Sequence, residues 1–581
     1  MAIRRLAHLL GVAGLLWLAT NAHAVVSISA GLNGQGVIIN TLLGADRFYN
    51  AGYFGQNAVV ANVEGGAIWN GHETLTQVNT YIHDPSIVGT QLGEFDYHAT
   101  AVGMTIGGQG QFFYYQAGIA PLTKLWSASI ATQFAGDGSF TITDQSFIYG
   151  YKQAMEVGRD VTFNLGGGFI LVEHRIADVI NSSWGFDEPT GSSFEAKTID
   201  ALAFANHNTV VISAGNSGPA SNTVGGPASG YNKIAVGALA ANTTANPYLT
   251  SATFSSRGPN DFYNPATNTV VHGVRPAVDI SAPGEELALA YYGGTTGTNT
   301  GGVDQTGGAN NYYLTNAAGT SFSAPIVAGG ATLLADYAHL NFGTHGVDGR
   351  VIKAVLLNSA TKTDGWDNGQ HFGLGSTVLR TTQGLDYTTG AGRINLDRAF
   401  DQFTTGTTDN ATVAADGSHV LPLGWTFGNT DATHPANYII DQPFTAGQTL
   451  TATLTWFIHR TFTDATKNSA AFATDVRFDN LDLQIWSLLN GLPTTEVAES
   501  TAVYNNVQHL SFPVPQDGQY LLRVIWAGQQ YDLSTVDPLG KPSEDFALAW
   551  SNATVPEPMG GVLLLIVIPI LRMRRRKHTI L

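Results

Sequence analysis

The chain has 581 residues, 44% of them apolar and only 12% charged, with a formal net charge of −17. That charge argues against nucleic acid as a partner, because a polyanion is repelled. The absence of cysteine excludes disulfides, cysteine-ligated zinc and a thiol nucleophile together. A loop-rich exported protein with one large and one smaller domain fits the low charge, the 67 glycines and the length.

The N-terminus reads MAIRRLAHLLGVAGLLWLATNAHA: Arg4 and Arg5, an apolar run, then Ala22-His23-Ala24. This three-part pattern predicts a signal peptide over residues 1–24, cut after Ala24 by signal peptidase, with an uncut N-terminal anchor as the alternative. Between residues 36 and 403, short apolar β-rich runs (NAVVANV, DVINSSW, NTVVISAG, NKIAVGAL) alternate with helical patterns such as SFEAKTIDALAFANHN and SAPIVAGGATLLADYAHL. The alternation predicts an α/β domain with a mostly parallel sheet flanked by helices. Sites in such sheets lie at the carboxyl ends of strands.

The first strand, in VVANVEGG, places Glu64 at such an end, before Gly65 and Gly66. Next, DYHATAVGMTIGG opens with His98 before a run that reads as a buried helix. A lone histidine there is more often structural, but it can serve a serine as a base. In VVISAGNSGPA, Asn216 follows an apolar strand; it suits a turn, and its NH2 equally suits a developing oxyanion. The Gly- and Thr-rich stretch 291–311 reads as a surface loop. In NAAGTSFSAPIVAGGATLL, Ser321 lies in a tight turn, and Pro325 suits the first turn of the following helix. Ser321 then sits near a helix N-terminus, in a field that favours negative charge.

Residues 404–416 read as a polar linker. From 417 to 553, QTLTATLTWFI, DNLDLQIWSL, QYLLRVIWAG and DFALAWSNA alternate apolar and polar residues between turns, which predicts a smaller antiparallel β-sandwich. In DNLDL, Asp479, Asn480 and Asp482 are weak candidates for a structural Ca²⁺ site, against the blander reading of a polar strand face. Exposed Trp and Tyr here are alternatives for binding glycan or protein. Over residues 555–577 come Pro556-Glu557-Pro558, an apolar run Met559–Leu571, then Arg572, Arg574, Arg575, Arg576 and Lys577. That run spans roughly 20 Å as a helix, short of a ~30 Å hydrocarbon core, so it reads as a transient membrane tether with its basic end cytoplasmic.

The central blocks, in order, resemble the subtilisin-like serine proteases (subtilases) over residues 36–403. GTSFSAP is similar to the family's nucleophile block, HATAVGMTIGG to its histidine block, SAGNSG to its oxyanion block and INSSWG to its substrate-pairing strand. The resemblance implies Ser321 as nucleophile, His98 as general base and acid, and Asn216 as oxyanion donor. It implies Ser183, Trp184 and Gly185 as backbone partners of an extended peptide that also shape the P1 pocket. The family's acid is an Asp; here its position holds Glu64, 34 residues before His98. A longer carboxylate can serve if the backbone retreats, and Gly65 and Gly66 are expected to supply conformational freedom and space. Ala99 and Ala101 stand where the family has Gly and a second His, and the domain begins too near the signal peptide to leave room for a folding-assisting propeptide.

Three readings compete: a secreted Glu-His-Ser endopeptidase needing no cofactor for its chemistry, an inactive subtilase-fold surface binding protein, and a protease using another acid, Asp96. Residues 555–577 resemble the PEP-CTERM sorting signals of Gram-negative bacteria. That resemblance implies an exosortase-like processing enzyme as partner and delivery to the cell surface or extracellular matrix.

Overall fold

The computed structural model describes residues 37–553, except 111–116, 167–168, 243–246, 293–302, 305–311, 406–416, 465–471 and 535–542. The stretches 1–24 and 555–577 lie outside the described residues, as do most of 404–416 and of 291–311. Among the described residues no helix is long and apolar enough to cross a membrane.

Seven strands form the central sheet: β1 (Val59–Glu64), β2 (Thr80–Ile82), β3 (Lys124–Ser129), β4 (Val179–Ser182), β5 (Thr209–Ser213), β6 (Ile234–Leu239) and β7 (Ile280–Pro283). Their order is β7-β6-β5-β4-β1-β3-β2, and every neighbouring pair is parallel. Strands β1, β4, β5, β6 and β7 are buried from end to end, which is why they read as unbroken apolar runs. Helices α1 (Tyr97–Gly107), α2 (Asp144–Lys152), α3 (Phe194–Asn206), α4 (Thr320–Asn341), α5 (Gly349–Asn358) and α6 (Leu396–Thr405) pack around it. Alternate residues of β1 feed two cores. Val60 joins the cluster that holds α1 and α4, while Val59, Ala61 and Val63 join the one that holds α2 and α3. Side-chain caps start α1 at Asp96, α3 at Ser193 and α5 at Asp348.

The C-terminal region is built mainly of antiparallel strands. Leu423–Asp431, Ser543–Ala553, Thr449–Trp456 and Val507–Pro513 form one sheet. The 18-residue strand Phe472–Leu489 is the spine of another, between Leu492–Ser500 and Tyr520–Asp532. One apolar cluster takes Leu450, Leu454 and Trp456 from the first sheet and Leu483, Ile485 and Leu522 from the second.

One feature crosses the boundary that the sequence suggests. The hairpin His371–Phe372/Leu379–Thr381 lies within the 36–403 span, yet Leu379–Thr381 pairs in parallel with Leu492–Ser500 of the C-terminal region. Helix α5 presses against the same region. Thr455 donates to the Arg350 carbonyl at 2.8 Å, and Asn358 bonds Thr453 and Ser551.

Candidate active site

Strand β1 delivers Glu64 to the carboxyl edge of the sheet, in register with Ser129 of β3. Glu64 is 1% exposed. A carboxylate buried this deeply needs partners for both oxygens. Oε1 accepts the backbone N–H of Ser183 at 2.7 Å, and Oε2 lies 3.2 Å from Nδ1 of His98. Because a carboxylate only accepts, Nδ1 carries the proton and a neutral imidazole leaves Nε2 as its free lone pair. Burial lowers the His98 pKa, but the hydrogen bond to Glu64 and the charges of Glu64 and Asp96 outweigh it, and the net shift is upward.

The two glycines after Glu64 serve space rather than freedom. Neither has a positive φ. A Cβ on Gly66 would stand 2.4 Å from Cβ of Asp96, and one on Gly65 would stand 2.9 Å from the Phe140 ring. The turn is squeezed between Asp96 and the hairpin Ala131–Phe134/Phe140–Ile142.

His98 occupies the first turn of α1, whose cap Asp96 accepts the Ala99 N–H at 3.0 Å. Burial raises the Asp96 pKa. Its carboxylate caps the helix, and Glu64 is the acid that reaches His98. Ala99 and Ala101 are fully buried in the core, where a second histidine would meet apolar surroundings.

Ser321 lies in the first turn of α4, after the N-cap Gly319 with φ +151°, a conformation side-chain-bearing residues avoid. The helix starts at Thr320, earlier than Pro325 suggests, and the proline falls inside it. Lacking an N–H, Pro325 cannot serve the carbonyl of Ser321 one turn back. The first-turn amides have no acceptor within the helix, so the positive helix end is presented at Ser321. The Ser321 hydroxyl donates to the Ser183 carbonyl at 3.1 Å rather than to His98.

Asn216 is held by its oxygen. Oδ1 accepts from both the N–H and the hydroxyl of Thr320 at 2.9 Å, and the Gly215 N–H donates to the same Thr320 hydroxyl at 3.2 Å. This fixes the amide plane, with Nδ2 3.7 Å from where a Cβ on Gly319 would stand. Two contributors escape a sequence reading: Thr320, which orients Asn216, and the backbone of Ser183, which bonds Glu64 with its N–H and Ser321 with its carbonyl. The GTS block contains the first signal; the second has none.

Ser183, Trp184 and Gly185 continue beyond β4 and separate two cavities. One, of about 500 Å³, is lined also by Ser321, Asn216, Gly225 and Gly226. The other, of about 350 Å³, is lined also by Glu64, His98, Phe134 and Phe140. The indole of Trp184 is packed among Phe140, Phe147 and Phe186, so its ring is wall rather than open floor.

Asp479 and Asp482 do not come together. Three positions apart on a pleated strand, they face different groups. Asp479 lies with His459 and Glu544, and its Oδ2 stands 2.8 Å from Nε of Arg477, so the cation beside it is a guanidinium. Asp482 faces Glu499, with the Asn480 amide 3.5 Å away. Burial pushes each carboxyl up to about 7.

An acid, an imidazole, a serine at a buried helix start and an anchored amide, all at the carboxyl edge of a parallel sheet, define an α/β protein with the parts of a serine hydrolase. Residues 73–376, just over half of the chain, match the Subtilase family (peptidase S8), and the chain belongs to that family. The match includes His98, Ser183, Asn216 and Ser321 and begins downstream of Glu64. Alkaline protease 1 of Aspergillus clavatus is 28% identical over 270 residues, 45% of this chain and 47% of that protein, so the chain spans about half the length of this relative. The solved S41 psychrophilic protease is similar at 18% identity and a TM-score of 0.38, over 58% of this chain and 92% of its own.

Proposed function

We propose that the protein is an exported serine endopeptidase that cleaves peptide bonds through an acyl-enzyme, with Glu64, His98 and Ser321 as its triad. Ser321 Oγ attacks the scissile carbonyl while His98 Nε2 takes its proton. The same nitrogen then returns the proton to the leaving amine, and water reverses the sequence to free the acid product. Glu64 orients the ring and stabilises the imidazolium without itself taking the proton. Asn216 Nδ2–H and the Ser321 N–H stabilise the oxyanion. The Ser183 carbonyl, released when Ser321 turns toward His98, and the Gly185 backbone pair with an extended peptide, beside a P1 pocket walled by Trp184. The observation that carries this reading is the division of Glu64: one oxygen is pinned by a backbone amide and the other is left for His98 Nδ1. Ser321 has to rotate about χ1 toward His98, a tightening that substrate binding supplies in many unliganded sites.

Export by signal peptidase, transient tethering through residues 555–577 and exosortase-like release at a Gram-negative surface belong to the same proposal and rest on the sequence. So does a structural Ca²⁺ ion, which the separation of Asp479 from Asp482 does not favour. The bond from Ser321 to the Ser183 carbonyl favours a second reading, an inactive surface binding protein. A fluorophosphonate probe decides between them. The secreted protein is labelled and Ser321→Ala is not; an unlabelled wild type overturns the enzyme reading.

A further inference from the structure

The loop behind the wall of the cavity beside Ser321 is held from two sides: Arg275 Nη2 donates to the Ser229 and Gly230 carbonyls at 2.7 and 3.2 Å, and the C-terminal region meets the residues beyond them. Gly225 and Gly226 line the cavity beside Ser321. They have no side chains with which to lock themselves, and a Cβ on Gly225 would stand 2.1 Å from the Phe186 carbonyl oxygen. The Phe186 N–H bonds the Gly226 carbonyl at 2.8 Å on one side, and the rest of the loop 223–232 continues behind the two glycines. Ser229 N–H bonds the Gly225 carbonyl at 2.8 Å, and the following residues run onto Asp200 of α3. That carboxylate, 1% exposed, accepts the N–H of Tyr231 at 2.9 Å and of Asn232 at 2.8 Å.

Three groups of the C-terminal region meet this loop. Arg460 Nη1 donates to Asp200 Oδ2 at 2.7 Å, and its Nε donates to Asp475 at 2.9 Å. Asn232 exchanges hydrogen bonds with the backbone of Ile458, at 2.9 and 2.8 Å. Asn506 Nδ2 donates to the Tyr231 carbonyl at 3.2 Å. Asp475 has a second cation in Lys197 at 2.7 Å, whereas among the described residues Asp200 has Arg460 alone. Without that guanidinium, Asp200 would be a buried charge bonded only to the amides of the loop.

We propose that Arg460 is a positioning residue for the P1 pocket: through Asp200 it fixes the loop that carries Gly225 and Gly226, so selectivity at P1 is set partly from outside the subtilase fold. The inference rests on the endopeptidase reading. It makes the C-terminal region part of substrate recognition without any contact to substrate.

The test uses the full chain and two peptide substrates differing only in a large aromatic or a small P1 side chain. In Arg460→Met, KM rises and the ratio of kcat/KM between the two substrates changes about tenfold, the scale of a lost pocket contact. Labelling of Ser321 by a small fluorophosphonate stays near the wild-type rate. Arg460→Lys, which keeps a cation on Asp200, recovers most of the ratio. Asn506→Ala leaves every ion pair in place and shifts the ratio in the same direction by less, which serves if Arg460→Met does not fold. An unchanged ratio in the folded variants, with only the melting temperature lowered, overturns the inference. An unlabelled wild type is a separate result that removes the endopeptidase reading itself.

Discussion

Glu64 and Asp200 are two carboxylates with the same burial and different work. Each is 1% exposed and each accepts backbone N–H groups. Asp200 closes its remaining capacity on Arg460, a cation that keeps its charge at any physiological pH. Glu64 gives its second oxygen to His98, a ring able to exchange a proton that keeps 26% of its side chain exposed at the cleft. Under the proposed triad, burial and hydrogen bonding are therefore not what separates a structural acid from a catalytic one. The partner's readiness to exchange a proton, and its access to substrate, make the difference.

Glu64→Gln is expected to lower kcat about 10⁴-fold while leaving thermal stability nearly intact, because a neutral amide neither stabilises the imidazolium nor fixes the tautomer. Glu64→Asp keeps the charge at shorter reach and falls between. Steady-state kinetics beside thermal unfolding reads both effects, and full turnover in Glu64→Gln would end the triad assignment. Asp200→Asn should do the converse. Breaking a buried pair costs about 3–5 kcal/mol in unfolding free energy, read by urea titration, with kcat of the folded fraction nearly unchanged. A large loss of kcat at unchanged stability would merge the two classes of acid.

The smallest expected effect is the sharpest. The proposed reaction needs neutral His98, and its raised pKa puts the acid limb of kcat/KM above the ordinary histidine value of about 6.5. Removing the Glu64 charge leaves burial, which lowers the pKa, as the larger influence. The limb in residual Glu64→Gln activity then moves to lower pH. A limb that stays in place would mean that Glu64 does not set the basicity of His98.

Much of the site could be read in the sequence because its parts are local. Ser321 sits in a helix-start block, Asn216 after a strand, His98 before a helix, and Glu64 at a strand end. The α/β alternation was equally legible, since strands buried on both faces leave unbroken apolar runs. What the sequence hides is whatever depends on distant partners. Gly65 and Gly66 look like a flexible turn until Phe140 and Asp96 are seen against them. DNLDL does not reveal that Asp479 and Asp482 face different neighbours, Arg477 and Glu499. Pro325 looks like a helix start because proline favours the first turn, yet α4 begins at Thr320. The Arg460–Asp200 pair joins residues 260 positions apart, which no spacing rule can announce.

The hairpin at 371–381 has a consequence for how this chain can be taken apart. Leu379–Thr381 belongs to one region by sequence and to the other by hydrogen bonding. A fragment ending at residue 403 would carry a strand torn from its sheet and leave the edge of Leu492–Ser500 bare, an invitation to self-association. A single cut within 404–416 would instead give two pieces still clasped by that strand and by the buried charges of the seam. Cutting the backbone there and removing the C-terminal region are therefore expected to differ, because only the first leaves the strand pairing and the Arg460–Asp200 bond in place.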